Sequence, residues 1–152
     1  MELFQVDNEG RVYISPSIDD WKPVTALNIH VIIDMDDDLD VGVPTIPNQM
    51  LYIYFPIEDM PELPDLEKLH SLARMSARLV ESGYKVLVHC GMGHNRSALL
   101  AGLILRYLGM SGEDVVTLIR EKRQGALYNK AFAEYIVSVE VRPLRLEFGA
   151  GI

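Results

Sequence analysis

The segment His89–Ser97, with the sequence HCGMGHNRS, contains the residue types needed for nucleophilic attack on a phosphoryl group. It follows a β-branched run and precedes an apolar run, so we expect a strand, a tight loop and a helix in that order. The helix would direct its unpaired N–H groups and the positive end of its dipole back toward the sulfur of Cys90. Together with the positive charge of Arg96, this setting favours a nucleophilic thiolate.

The same segment has the features of a phosphate-binding loop. Gly91 and Gly93 permit a tight turn that directs several backbone amides toward one point. The planar guanidinium of Arg96 can bind two phosphoryl oxygens. The hydroxyl of Ser97 can donate a hydrogen bond to the sulfur and make it a better leaving group in a later step. We therefore expect the phosphate to be bound by Gly91, Met92, Gly93, His94, Asn95 and Arg96, with His94 and Asn95 at the rim of the loop.

The order His-Cys-x-x-Gly-x-x-Arg-Ser between a strand and a helix resembles the signature loop of cysteine-dependent protein tyrosine phosphatases. The short chain is similar to their compact dual-specificity branch, and the similarity extends over roughly residues 52–137. The resemblance implies that Cys90 attacks phosphorus, that a phosphocysteine intermediate forms and that no cofactor or metal is needed. It also implies that the substrates are proteins or peptides phosphorylated on tyrosine, and in this branch on serine or threonine as well. We interpret His89 as a core residue that orients the loop by hydrogen bonds.

Departure of the leaving oxygen requires a proton donor, which this family places in a loop some 30 residues before the cysteine. Asp59 lies 31 positions before Cys90, and its surroundings in 55–61 resemble the family pattern. The resemblance therefore implies that Asp59 is the general acid. Two neighbouring carboxyls are alternatives: we interpret Glu58 as a solvated loop residue and Asp65 as the N-cap of the next helix.

Short β-branched runs predict the strands that position this loop, and apolar residues spaced by three or four positions predict the helices. The fold class is α/β, a single domain with a central, mostly parallel twisted sheet of about 4–5 strands flanked by helices. The domain is expected over residues 1–152, with its catalytic core at about 51–141. The predicted elements are a hairpin at 4–6 and 11–14, a short helix or helical turn at 18–27, strands at 30–34, 51–55 and 85–89, and helices at 65–83, 97–108, 112–123 and 130–141.

Two further segments were considered for chemistry. The loop over 35–49 carries Asp36, Asp37, Asp38 and Asp40, but its spacing does not match that of a calcium-binding EF-hand loop. We interpret it as a solvated acidic loop, one that could border the active site and repel polyanions. The segment 123–129 supports a turn and a helix start, and we assign it no chemistry.

Composition and charge limit the partners. The 152 residues are 49% hydrophobic and 24% charged, which is typical of a packed domain, and the net charge is −8 without a basic patch. We therefore expect no binding to nucleic acid or to an anionic membrane. Cys90 is the single cysteine, so no intrachain disulfide can form, and we expect a monomer in the reducing cytoplasm.

Several functions remain as alternatives. Phosphoinositide phosphatases that resemble this family often carry lysines within the loop, at positions where this chain has Gly91, Met92, His94 and Asn95. RNA 5′-triphosphatases can have an Asn before the Arg, as here, although the acidic chain argues against RNA. Low-molecular-weight phosphatases and arsenate reductases place their cysteine near the N-terminus. A non-catalytic phosphate-binding scaffold would typically lack the Cys or the Arg, and both are present.

Overall fold

The chain begins with a hairpin whose turn is stabilised by the carboxylate of Asp7. In the computed structural model, which describes residues 1–144, β1 (Phe4–Gln5) pairs antiparallel with β2 (Val12–Ser15). Asp7 accepts hydrogen bonds of 2.9–3.1 Å from the backbone N–H groups of Arg11 and Val12. The hairpin expected from the sequence is therefore confirmed.

Four parallel strands bring their carboxyl ends to one edge of the sheet. The other strands are β3 (Val31–Asp34), β4 (Leu51–Tyr54) and β5 (Val86–His89), and the order across the sheet is β1-β2-β5-β3-β4. The last residue of β5 is in register with the last residues of both β2 and β3, and β3 is in register with β4. Loops that leave β2, β3, β4 and β5 therefore meet at this edge, where ligand sites form in parallel sheets.

Helices cover both faces of the sheet, as the α/β pattern predicts. They are α1 (Lys22–Ala26), α2 (Leu66–Glu81), α3 (Arg96–Tyr107), α4 (Gly112–Lys122) and α5 (Lys130–Ser138). The larger core lies between the sheet and α2–α5, and α3 is buried nearly all round. A smaller core covers the opposite face with Tyr13, Val24, Ile29, Ile32 and Leu87. Among residues 1–144, no helix combines the length and hydropathy needed to cross a bilayer.

Two predicted helices are shorter in the structure. The short helix or helical turn expected over 18–27 is α1, which begins at Lys22 with Pro23 in its first turn, where proline fits best. The helix expected to reach residue 141 ends at Ser138, because Val139 adopts extended backbone with φ −65° and ψ 135°. Residues 145–152 of the expected domain lie outside the described residues.

Candidate active site

The sulfur of Cys90 lies at the bottom of the loop that joins β5 to α3. Cys90 is 2% exposed, and its backbone N–H donates to the carbonyl of Ser15 at the end of β2 (3.3 Å). The N–H of Gly93 donates to the sulfur at 3.2 Å, and the hydroxyl of Ser97 lies 3.4 Å from it. The N–H of Gly93 is thus directed at the sulfur, while the thiol of Cys90 donates to the hydroxyl oxygen of Ser97, which could donate to a thiolate in turn.

The turn of this loop can be made only with glycine at position 93. Gly93 has φ of 71°, and a Cβ there would lie 2.7 Å from the nitrogen of Pro16 and 2.8 Å from the carbonyl carbon of Ser15. Those atoms belong to the backbone that leaves β2, so they cannot move aside as a flexible side chain could. The glycine that the sequence marks as a turn therefore also lets two strand ends approach closely.

Backbone amides of the loop are available to an anion. Within residues 1–144, the N–H groups of Met92, His94, Asn95 and Arg96 donate to no protein acceptor. Since α3 begins at Arg96, these amides converge with the positive end of a helix, which is a common way to bind phosphate. The side chain of Arg123, after α4, supports the loop from outside by donating to the carbonyls of Met92 (3.1 Å) and Gly93 (3.4 Å).

The guanidinium of Arg96 contacts the acidic loop that follows β3. Its Nη1 lies 3.3 Å from Oδ1 of Asp36 and 3.6 Å from Oδ1 of Asp37, and it donates to the carbonyl of Ile57 at 3.4 Å. Arg96 is 14% exposed and Asp36 25% exposed, so the first pair is partly shielded from water. The acidic loop thus borders the site, as the sequence suggested, and it also pairs with the residue expected to bind phosphate, which the sequence did not predict.

His89 links the acidic loop to the end of β5. Its Nε2 lies 2.6 Å from Oδ2 of Asp40 and 3.6 Å from Oδ1 of Asp34, so in the neutral imidazole Nε2 carries the proton. Tyr52 completes the cluster by donating to Asp34 (2.6 Å) and accepting from the backbone N–H of Asp40 (3.0 Å). Burial raises the pKa of Asp34, although the hydrogen bonds from Tyr52 and from the backbone of Asp36 act in the opposite direction. These contacts orient the acidic loop against the signature loop.

Asp34, Asp40 and His89 also form a group of potential metal ligands. Their ligand atoms all lie within 4.8 Å of one another. However, the imidazole N–H is already hydrogen-bonded to Asp40, and Asp34 already accepts from Tyr52, so hydrogen bonding accounts for the arrangement. We assign no metal to it.

Asp59, in the loop after β4, is held against the signature loop by two side-chain amides. Nδ2 of Asn95 donates to its Oδ2 and Nδ2 of Asn129 donates to its Oδ1, each at 2.9 Å. Asn95 was expected at the rim of the loop, but it is 1% exposed and its side chain is directed toward Asp59. Asn129 belongs to the segment to which the sequence assigned no chemistry.

The two alternative carboxyls have other surroundings. Asp65 caps α2, as expected, by accepting from the backbone N–H of Lys68 at 3.0 Å, and this hydrogen bond lowers the pKa of Asp65. Glu58 is exposed and forms no hydrogen bond or ion pair within residues 1–144. Of the three carboxyls, Asp59 is therefore the one hydrogen-bonded to a residue of the signature loop.

His94 lies at the rim of the loop. Its ring packs edge-on against Tyr128, with 5.8 Å between the ring centroids. Burial and the positive charge of Arg123 lower the pKa of His94, while Asp59 raises it. The imidazole is therefore neutral near pH 7, when it could contact a substrate as a hydrogen-bonding group without adding charge.

Comparison with known proteins agrees with this geometry. The family described as dual specificity phosphatase, catalytic domain, matches residues 12–142. The chain is 28% identical to human protein tyrosine phosphatase type IVA 3 over 131 residues, which cover 86% of this chain and 74% of the human protein. It is 35% identical to the type IVA 2 protein of Mus musculus over 130 residues, 85% of this chain. Those residues span 64% of the mouse protein, which is less than two thirds of its length.

Solved structures share the fold at lower identity. Human DUSP28 aligns with a TM-score of 0.73 and 18% identity, covering 88% of this chain and 89% of that chain. The human tyrosine phosphatase-like serine/threonine/tyrosine-interacting protein aligns with a TM-score of 0.71 and 20% identity, covering 88% and 92%. At such identities, these likenesses concern the arrangement of the sheet and helices and leave the chemistry to the residues of the site.

Proposed function

This chain belongs to the dual specificity phosphatase catalytic-domain family, and from that membership we propose that it removes phosphate from phosphotyrosine, and from phosphoserine or phosphothreonine, in proteins. The observation that carries the proposal is a buried sulfur in a loop whose amides are unpaired, with the guanidinium of Arg96 beside Gly91 of the same loop. Membership in the family supports a cysteine-dependent enzyme. The assignment of roles to individual residues is our proposal.

In the first step, the thiolate of Cys90 attacks phosphorus in line with the leaving oxygen. The S–P bond forms as the P–O bond breaks, and Asp59 gives its proton to the departing oxygen. The amides of residues 91–96 and the guanidinium of Arg96 hold the three equatorial oxygens, where negative charge accumulates in the transition state. Because the nucleophile is the sulfur itself, this step needs no metal to generate it.

In the second step, water attacks the phosphocysteine and releases inorganic phosphate. Asp59, now a carboxylate, takes the proton from the water, and the thiolate of Cys90 departs. The hydroxyl of Ser97, 3.4 Å from the sulfur, can donate a hydrogen bond to the departing thiolate. His89 acts only through the position of the loop.

We infer that the enzyme works in the cytoplasm as a monomer. A nucleophilic thiolate must stay reduced to function, and a reducing compartment keeps it so. The substrate is inferred to be a phosphorylated protein or peptide, because the side chains of the loop include no lysine that could meet the additional phosphates of an inositol lipid.

Hydrolysis of p-nitrophenyl phosphate and of a phosphotyrosine peptide in the presence of EDTA tests the proposal. We expect the native chain to turn over both substrates, and Cys90→Ser to turn over neither while still binding tungstate through the intact amides. Acid quenching during turnover should trap one phosphoryl group on Cys90, detectable by mass spectrometry. Hydrolysis by purified Cys90→Ser, or activity abolished by EDTA, would contradict the mechanism.

A further inference from the structure

The hydrogen bonds around Asp59 assign a role to a residue that the family signature leaves variable. We propose that Asn95 is a positioning residue that acts through Asp59, holding the general acid against the signature loop together with Asn129. The proposal rests on the proposed function, because it presupposes that Asp59 is the general acid. It concerns the side chain of Asn95, whereas the phosphate is expected to meet only its backbone amide.

The orientation of the Asn95 side chain is fixed by its partners. Its Oδ1 accepts from the backbone N–H of Asn129 at 2.9 Å, and a backbone N–H can only donate. The other end of the amide, Nδ2, must therefore be the end that faces Asp59. Since Asn95 is almost fully buried, a reversed amide would leave polar groups unpaired away from water, which is costly.

Asn129 holds the other oxygen of the acid. Its Nδ2 donates to Oδ1 of Asp59 and to the carbonyl of Met60, both at 2.9 Å. Its own Oδ1 accepts from the backbone N–H of Phe132 at 3.3 Å, which makes Asn129 the N-cap of α5. Hydrogen bonds thus join the loop that carries Asp59 to the signature loop through Asn95 and to the start of α5 through Asn129.

Amide side chains suit the positioning of a general acid because they do not titrate and carry no charge that would pair with its carboxylate. A carboxyl group has about four acceptor positions, and each oxygen of Asp59 uses one of them for an amide. Either oxygen can therefore also bind a proton while the amides remain in place. The same contacts can hold Asp59 as a protonated acid in the first step and as a carboxylate base in the second. A lysine or arginine at position 95 would add a full positive charge, which favours the carboxylate form more strongly than a neutral amide donor does.

The test compares two aryl phosphates through the ratio of their kcat/KM values. Phenyl phosphate has a poor leaving group that needs a proton, whereas 2,4-dinitrophenyl phosphate has a good one that leaves unaided. Asn95→Asp is nearly isosteric: it keeps the acceptor for Asn129 but places a carboxylate oxygen against Asp59. We expect kcat/KM on phenyl phosphate to fall about 10- to 100-fold more than on the dinitrophenyl ester, a part of the roughly 10²–10⁴-fold that an acid contributes. Any general effect of the added charge on binding cancels in the ratio.

Three further variants complete the test. Asn95→Ala removes the donor without adding charge and should change the ratio in the same direction. In an Asp59→Asn background the effect of Asn95→Ala on phenyl phosphate should vanish, because a residue that acts through the acid has nothing left to position. Asn8→Asp, an equal change of charge at an exposed turn residue, should leave the ratio unaltered.

If Asn95→Asp does not fold, Asn95→Ala tests the contact alone, and Asn129→Asp tests the second amide contact to Asp59, since Asp still caps α5 but cannot donate to Asp59. Equal losses on both substrates, or an Asn95 effect that persists without Asp59, would overturn the proposal and leave Asn95 a structural part of the loop. Failure of the proposed function is a separate result: the native chain would hydrolyse neither ester, or Asp59→Asn would leave the ratio unchanged.

Discussion

Two carboxylates from neighbouring loops approach the signature loop, and their partners differ in kind. Asp36, after β3, pairs with the cationic guanidinium of Arg96, while Asp59, after β4, accepts from the neutral amide of Asn95. A carboxylate paired with a cation shares the charge that an incoming phosphate dianion needs. A carboxylate held by amides keeps its capacity to gain and lose a proton. From this comparison we propose that the loop after β3 modulates phosphate binding and that the loop after β4 performs proton transfer.

The largest effect on this proposed division is expected at Arg96, which contacts Asp36 and is proposed to bind the phosphate. We expect Arg96→Ala to lower kcat/KM by about 10²–10³-fold or more, because removing one donor to the developing charge already costs that much in other enzymes. Arg96→Lys should recover little, since an ammonium cannot reproduce the planar fork of two parallel N–H donors. Both variants should also lose tungstate binding, unlike Cys90→Ser. Arg96→Lys with activity within tenfold of the native chain would show that only the charge matters.

Asp59→Asn tests the other side of the comparison. We expect hydrolysis of a phosphotyrosine peptide to fall about 10²–10⁴-fold, because the proton donor is lost, with a much smaller loss for an activated aryl phosphate. Asp65→Asn is the matched control: it should cost at most about 1 kcal/mol of stability, since Asn caps a helix nearly as well as Asp. Steady-state kinetics and thermal unfolding of both variants distinguish these results. A leaving-group effect in Asp65→Asn instead would move the acid to the start of α2.

Asp36→Asn should act in the opposite direction, by improving phosphate binding. Removing the carboxylate takes one partner from Nη1 of Arg96, which keeps Asp37 and the carbonyl of Ile57. A pair near the surface is worth about 0.2–1 kcal/mol, or roughly 1.4- to 5-fold in affinity. Competitive inhibition by inorganic phosphate should therefore strengthen by that factor, and the difference should shrink at high salt. The exposed neighbour Asp38 provides the control substitution Asp38→Asn, which should alter inhibition less. Weaker inhibition after Asp36→Asn would mean that the carboxylate orients Arg96 for phosphate.

The sequence predicts one part of this site well because that part is local. The nucleophile, the glycine turn and the arginine lie within nine residues, and a strand followed by a helix dictates how they converge. The caps at Asp65 and Asn129 are likewise set by residues within one turn of each helix. The helix ends near Trp21 and Ser138 were less predictable, because the pattern of apolar residues extends beyond the residues that adopt helical backbone.

The contacts with Asp36, Asn95 and Asn129 join segments that the sheet brings together. Asn95 lies 36 positions from Asp59, and Asn129 lies 70 positions from it. Such pairs depend on the order of the strands and on where each loop leaves the sheet, which a local pattern does not specify. The sequence does place an Asn before each of two helices, at 95 and 129. That pattern indicates a shared contact with Asp59 only once the fold is known.

The smallest expected effect concerns the cluster of Asp34, Asp40, His89 and Tyr52 at the base of the acidic loop. It is tested by the pH dependence of stability. Burial raises the pKa of Asp34 in the folded protein above its value in the unfolded chain. The folded state therefore binds a proton more readily than the unfolded state between these two pKa values, and this contribution to stability is lost as pH rises through the folded pKa. Asp34→Asn removes the titration and one hydrogen-bond acceptor, for Tyr52 or for the backbone of Asp36, at every pH. We expect the melting temperature of the native chain, relative to that of Asp34→Asn, to decrease as pH rises from about 4 toward 7. A difference that grows with pH would mean that the hydrogen bonds to Asp34 outweigh its burial.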